Sequence, residues 1–315
     1  MKHSIKITAV LLGMFLITQL IGLAVIQAYK PVITQQVDEN GTISNVTTYD
    51  LPYGTSPPPE LEPKYSLISI VFAFVIAISL IILLMKIRAE IFLRLWFFIV
   101  ITLALGVTAN ALLKSYIPNS SIIALVIALP LTYLKVFKRD MLVHNFTELL
   151  IYPGIAAIFV PLMSIWTIII LLILISIYDM WAVWHSGIMQ KMAKYQMQSV
   201  KVFSGFFIPY LGKKERDMIA QAKIAKAKGK KLKEKNVKVN VAILGGGDVV
   251  FPIITAGIAL WTFGLLPALS VTLFATLSLA LLFVFSQKGK FYPAMPFISA
   301  GCFLGLLIAW LIQII

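Results

Sequence analysis

Two aspartates stand where the surrounding residues give no reason for them. Asp179 lies in the run Ile-Ser-Ile-Tyr178-Asp179-Met-Trp-Ala, and Asp248 follows Leu244-Gly245-Gly246-Gly247. Almost all of the 13 acidic residues fall in polar stretches or at the edges of apolar ones, and these two do not. A carboxyl group inside a membrane span costs about 2.5–3.5 kcal/mol on insertion scales, so it marks a functional position by default. Two carboxyl groups that face each other in a low-dielectric site do not both ionise near neutral pH, and they hold one proton between them. That shared proton suits hydrolysis of an amide. The charged member takes a proton from water, the protonated member hydrogen-bonds the carbonyl, and the roles reverse as the amine leaves. The same acids would also serve a proton or cation pathway, because transporters bury carboxyl groups too.

Such chemistry needs a frame that keeps both acids out of bulk water. The chain has 315 residues, 60% apolar and 13% charged. A soluble domain is nearer a quarter charged, so a water-facing exterior is excluded. The one cysteine, Cys302, excludes a disulfide scaffold, and the wealth of Leu, Ile, Val and Phe excludes disorder. Nine windows reach the roughly 20 apolar residues that a spanning helix requires. They cover 5–28, 66–86, 91–113, 119–137, 142–162, 164–185, 241–263, 265–286 and 294–315. The reading is an all-α polytopic bundle of nine transmembrane helices forming one domain. Spans one to six occupy 5–185, a basic loop 186–240, and spans seven to nine 241–315. The first window is read as a retained span, since it runs long for a signal peptide and no small-residue cleavage site follows it.

Loop charge sets the sidedness. Of 27 Lys and Arg residues, only Lys30, Lys64 and Lys114 fall on one side, and the other 24 fall on the side of the N-terminus. By the positive-inside tendency the N-terminus is cytoplasmic and the C-terminus external. The net charge of +14 therefore belongs to loops, and no nucleic-acid partner is expected. The stretch 213–238, dense in Lys and Ala, reads as a solvated, partly helical loop attracted to anionic lipid headgroups. The external loop 29–65 is acid-leaning and carries Asn40-Gly41-Thr42 and Asn45-Val46-Thr47, which fit the glycosylation acceptor pattern.

Span six runs inward and span seven outward. Asp179 and Asp248 each lie about six or seven residues from the cytoplasmic face, roughly 10 Å at 1.5 Å per residue. Neither span offers a Lys or Arg at that level to neutralise them. Gly245, Gly246 and Gly247 disfavour helix by about 1 kcal/mol each relative to Ala. Backbone can unwind at bilayer depth only where it lines a wet cavity or is buried in protein. Open backbone just before Asp248 is what a hydrolase needs to admit water and an extended substrate. No Lys-Ser or Lys-Thr follows the glycines, so a P-loop is excluded. His3, His144 and His185 are scattered, and no metal-ligand spacing or Gly-x-Ser-x-Gly elbow is present. Asn110 and Glu148 read as polar groups that bridge helices.

Tyr178-Asp179 in one span and Gly245-x-Gly247-Asp248 in the next resemble the presenilin and signal peptide peptidase family of GxGD intramembrane aspartyl proteases. The resemblance implies nine spans, a cytosolic N-terminus, and a catalytic pair formed by Asp179 and Asp248 without metal or cofactor. It also implies a Pro-Ala-Leu segment opening span nine and flanking the site. Pro293-Ala294-Met295 fills that place with Met for Leu, whereas the literal Pro267-Ala268-Leu269 opens span eight on the external side. Tyr178, Gly245, Gly246, Gly247, Pro293, Ala294 and Met295 are thus expected to support the site and hold substrate. The expected substrates are transmembrane segments of membrane proteins. The compact chain is similar to the archaeal-type, stand-alone members, which implies the cell membrane of a prokaryote and no obligate partner subunits. A channel using the same acids, or the prepilin peptidase branch with its own GxGD motif, are the alternatives.

Overall fold

The structure, a computed structural model, describes residues 5–37, 43–57, 63–138, 140–186, 195, 203–210, 240–286 and 292–314. Among the described residues nine helices are long and apolar enough to cross a membrane. They are α1 (Ile5–Ala28), α2 (Pro63–Lys86), α3 (Glu90–Leu113), α4 (Ser120–Tyr133), α5 (Met141–Phe159), α6 (Ile165–Trp181), α7 (Gly246–Phe263), α8 (Leu265–Phe285) and α9 (Met295–Ile314). A π-turn over Leu134–Lys138 extends α4, and another over Ala182–Ser186 extends α6. The apolar runs form helices because a helix pairs every internal N–H and C=O within itself, the requirement that lipid imposes. Side chains such as Ile91, Phe72 and Trp166 face outward, as a lipid-facing surface demands.

The centre is α7, which packs against α1, α5, α6, α8 and α9. Small residues let it sit there. A Cβ at Gly257 would come within 2.5 Å of Ile26 and one at Gly22 within 2.4 Å of Ile253 (so α1 and α7 approach across two glycines). Only Gly264, at φ 98°, separates α7 from α8. That left-handed backbone suits glycine, and it folds the two helices into a tight hairpin.

Two small antiparallel sheets complete the fold. Strands β1 (Val32–Val37) and β2 (Ile43–Thr48) pair within the segment read as the external loop, with Val32 opposite Thr48. Asn45-Val46-Thr47 lies on β2, whereas Asn40-Gly41-Thr42 lies outside the described residues. Strands β3 (Gly205–Tyr210) and β4 (Asn240–Gly245) pair at the opposite end of the bundle, with Gly205 opposite Gly245 and Phe206 opposite Leu244.

The second sheet corrects one expectation. Span seven does not begin near Val241. Residues 240–245 are strand, and helix starts at Gly246, because pairing with β3 satisfies the backbone that a helix would otherwise have to satisfy. Asp248 accordingly sits in the first turn of α7 rather than seven residues into it. Within the loop 186–240, residues 205–210 form β3 with Gly205 and Phe206 buried. The stretch 213–238 and its proposed lipid contact lie outside the described residues.

Candidate active site

Asp179 and Asp248 occupy helix ends that meet. Asp179 is in the last turn of α6, 5% exposed, and Asp248 is partly exposed in the first turn of α7. The two helices pack together, and Asp248 lies within electrostatic reach of Asp179.

Each carboxyl group is held by backbone. The Met295 N–H donates to Asp179 Oδ2 at 3.0 Å, and the Ala294 N–H also points to this carboxyl. Those donors are free because Ala294 and Met295 stand at the start of α9, where N–H groups have no helical partner. One turn back along the same face of α6, Ser176 Oγ donates to Ser299 Oγ at 2.9 Å, so α6 docks on α9 through two polar contacts. Asp248 is the third residue after Gly245, the N-cap of α7, and it accepts from the Gly245 N–H. This is the return half of a capping box. A Cβ at Gly245 would stand 3.1 Å from Asp248 Oδ2, so glycine there lets the carboxyl fold back onto the chain.

The remaining expected residues divide. Gly246 is the tightest of the three glycines: a Cβ there would lie 2.7 Å from Ser204 Oγ and 2.9 Å from the Tyr152 ring and hydroxyl. Gly247 is exposed, and its Cβ would make only ordinary contact with Phe251, 3.8 Å away. Tyr178 is 39% exposed beside Trp181, with ring centroids 6.3 Å apart. Pro293 is buried and Ala294 half-buried. Pro267 lies in the first turn of α8, away from Asp179. Among the described residues no three His, Cys, Asp or Glu side chains gather as a metal would need.

Behind the glycines stand groups that the sequence did not assign to the site. His144, Glu148 and Tyr152 recur at every fourth residue on one face of α5, and all are buried. Lys135, counted as a loop cation, is buried as well and donates to Glu148 Oε1. Gln19 of α1 donates from Nε2 to the Val249 carbonyl at 3.0 Å, gripping α7 one residue past Asp248. The four-residue spacing on α5 was the available signal for the first three.

Comparison with known proteins agrees with the architecture. Residues 54–315 match the family model described as signal-peptide peptidase, presenilin aspartyl protease. The chain belongs to that family. It is an aspartic endopeptidase of the intramembrane type and an integral, multi-pass membrane protein. Two solved structures share its fold. A presenilin family intramembrane aspartate protease in a C222 crystal form is 19% identical with a TM-score of 0.55, over 97% of this chain and 99% of that one. Another, in a P2 crystal form, is 17% identical with a TM-score of 0.55, over 96% of each. No curated protein matches the chain.

Proposed function

We infer that Asp179 and Asp248 are the catalytic pair of this protease and that they activate a water molecule between them to cut transmembrane segments. The observation that carries this reading is the meeting of two helix-end carboxyl groups, one clamped by the Met295 N–H and the other by the Gly245 N–H. The ionised carboxylate takes a proton from water as the water oxygen bonds to the scissile carbonyl carbon. The protonated partner hydrogen-bonds the carbonyl oxygen, and the tetrahedral intermediate collapses as a proton passes to the leaving amine.

A substrate helix shields its own carbonyls and has to unwind before it is cut. β4 pairs on one edge with β3, and the strand ends at Gly245, three residues before Asp248. An extended substrate segment adds there by main-chain hydrogen bonds, and Pro293-Ala294-Met295 flanks it from the Asp179 side. The charge asymmetry supports a cytoplasmic N-terminus, which puts the aspartate end of the bundle at the cytoplasmic face of a prokaryotic cell membrane. The chain works there without partner subunits, with its basic stretch against anionic headgroups.

The test is cleavage of a synthetic single-span peptide by purified protein in detergent, comparing wild type with Asp179→Asn and Asp248→Asn. Product lost in both variants, and inhibition of wild type by a hydroxyl-bearing transition-state mimic, is the expected result. Acid-dependent ion flux in liposomes without any proteolysis would instead favour a conducting role for the same acids.

A further inference from the structure

A buried charged cluster lies against strand β3. Lys135, at the end of α4, donates to Glu148 Oε1 and also reaches His144 Nδ1 at 3.2 Å. His144 Nε2 lies 2.9 Å from the carbonyl oxygen of Gly205. These bonds fix the tautomer. An ammonium group has only donors, so Nδ1 accepts and the proton is on Nε2, aimed at Gly205. Glu148 Oε1 also lies 3.6 Å from His144 Nε2, so the imidazole lies alongside the ion pair.

Gly205 is a constrained target. Its φ is 144°, and a Cβ would fall 2.6 Å from the Leu244 carbonyl and 2.8 Å from the Phe203 ring. It is the cross-strand partner of Gly245, whose N–H holds the Asp248 carboxyl. Neighbouring contacts reinforce the same strand. Asn145 brackets Phe207, donating to its carbonyl at 2.9 Å and accepting its N–H at 3.2 Å. The His144 and Phe207 rings are 4.7 Å apart, and the Tyr152 ring meets Phe206 edge-on at 5.6 Å. Three bonds and one cross-strand pairing therefore connect a buried ion pair to the carboxyl group: Lys135 bonds His144, His144 bonds Gly205, Gly205 stands opposite Gly245 in the ladder, and Gly245 bonds Asp248.

A buried ion pair is a poor way to gain stability, since apolar residues of similar volume do as well or better. Simple adhesion between α4 and α5 therefore does not account for the cluster, whereas directing one imidazole N–H at one strand carbonyl does. We propose that Lys135, His144 and Glu148 are positioning residues of the active site, holding the Gly205–Gly245 strand end and thereby the setting of Asp248. This rests on the reading that Asp248 is catalytic.

The experiment uses the full chain in detergent with the single-span peptide and separates kcat from KM. His144→Gln retains an N–H near the Nε2 position, whereas His144→Asn places its amide only at the level of Nδ1. His144→Asn is expected to lower kcat by about 10²-fold, the scale of a misplacement of about 1 Å, with KM little changed. His144→Gln should recover most of that loss. Equal kcat for Asn, Gln and wild type would overturn the proposal, as would equal loss in both variants, which reports packing alone. The double variant Lys135→Met with Glu148→Met leaves no unpaired buried charge and tests the cluster even where His144→Asn fails to fold. A drop in kcat with melting temperature retained is expected, and full activity would sink the idea. Failure of wild-type cleavage, or wild-type rates in Asp179→Asn and Asp248→Asn, would refute the catalytic pair itself, a different result from an active enzyme indifferent to His144.

Discussion

At the end of the bundle away from the aspartates, Tyr29, Asn110 and Ser120 join three helix ends through a closed neutral chain. The Tyr29 hydroxyl donates to the Val107 carbonyl at 2.7 Å, Asn110 Nδ2 donates to Tyr29 Oη at 2.9 Å, and Ser120 Oγ donates to Asn110 Oδ1 at 2.7 Å. Tyr53 adds a bond to the Ser121 carbonyl at 2.6 Å while its ring lies over Gly106. Burial there pushes the Tyr29 hydroxyl well above its ordinary range and the Tyr53 hydroxyl in the same direction, so both remain neutral donors. At the aspartate end, by contrast, charged groups are buried, and Gln19 Oε1, Glu148 Oε2 and the Tyr152 hydroxyl lack a partner of good hydrogen-bond geometry. The Tyr152 hydroxyl does lie beside Glu148 and Ser204, close to bonding them. A satisfied neutral network rigidifies a joint at little cost, whereas charged and incompletely paired groups destabilise unless function requires them. One end of this molecule is held by neutral bonds, and the other buries charge.

Five substitutions can break or sharpen that contrast. The largest effect belongs to Asp179→Asn and Asp248→Asn, each expected to reduce peptide cleavage by ~10⁴-fold or more with helical content unchanged by circular dichroism. Next, Glu148→Gln leaves the Lys135 ammonium buried without its carboxylate. Thermal unfolding in detergent should show a loss of about 3–5 kcal/mol, and a change under ~1 kcal/mol would mean that Lys135 finds water. Gly246→Ala puts a methyl group into Tyr152 and Ser204 and should cut kcat by about 10²-fold, measured against Gly13→Ala, where nothing lies within 4 Å. Smallest, Tyr29→Phe should cost about 1–3 kcal/mol of stability while cleavage stays at the wild-type rate. Activity lost in that last variant would show that the two ends are not separable in function.

The nine spans were legible because lipid demands long apolar helices, and a run such as 5–28 has no other use. The aspartates were legible for the complementary reason, as charges inside such runs. Strand β4 was not, because Val241-Ala242-Ile243-Leu244 reads equally as the start of an apolar helix. Its partner β3 is only six residues long, contains Pro209 and lies 30 residues upstream in a basic stretch, so nothing local announces the pairing. The three glycines were read as one open segment, yet the packing demand falls on Gly245 and Gly246 and hardly on Gly247. Lys135 was hidden by its neighbours, since Lys138 and Arg139 make the whole turn look solvated, and without Lys135 the acid on α5 had no visible counterpart. Ser176 and Ser299 gave no signal, because single serines are common in spans and only the fold sets them face to face.

The one-residue link at Gly264 has a mechanical consequence. Since α7 and α8 are tethered so closely, and α8 packs along α9, the helix carrying Asp248 and the segment gripping Asp179 belong to one stiff slab. Aligning the acids then becomes a matter of a single sliding coordinate, the seating of α6 on that slab. Anything that wedges under α6 should separate Asp179 from Asp248 without touching either carboxyl group.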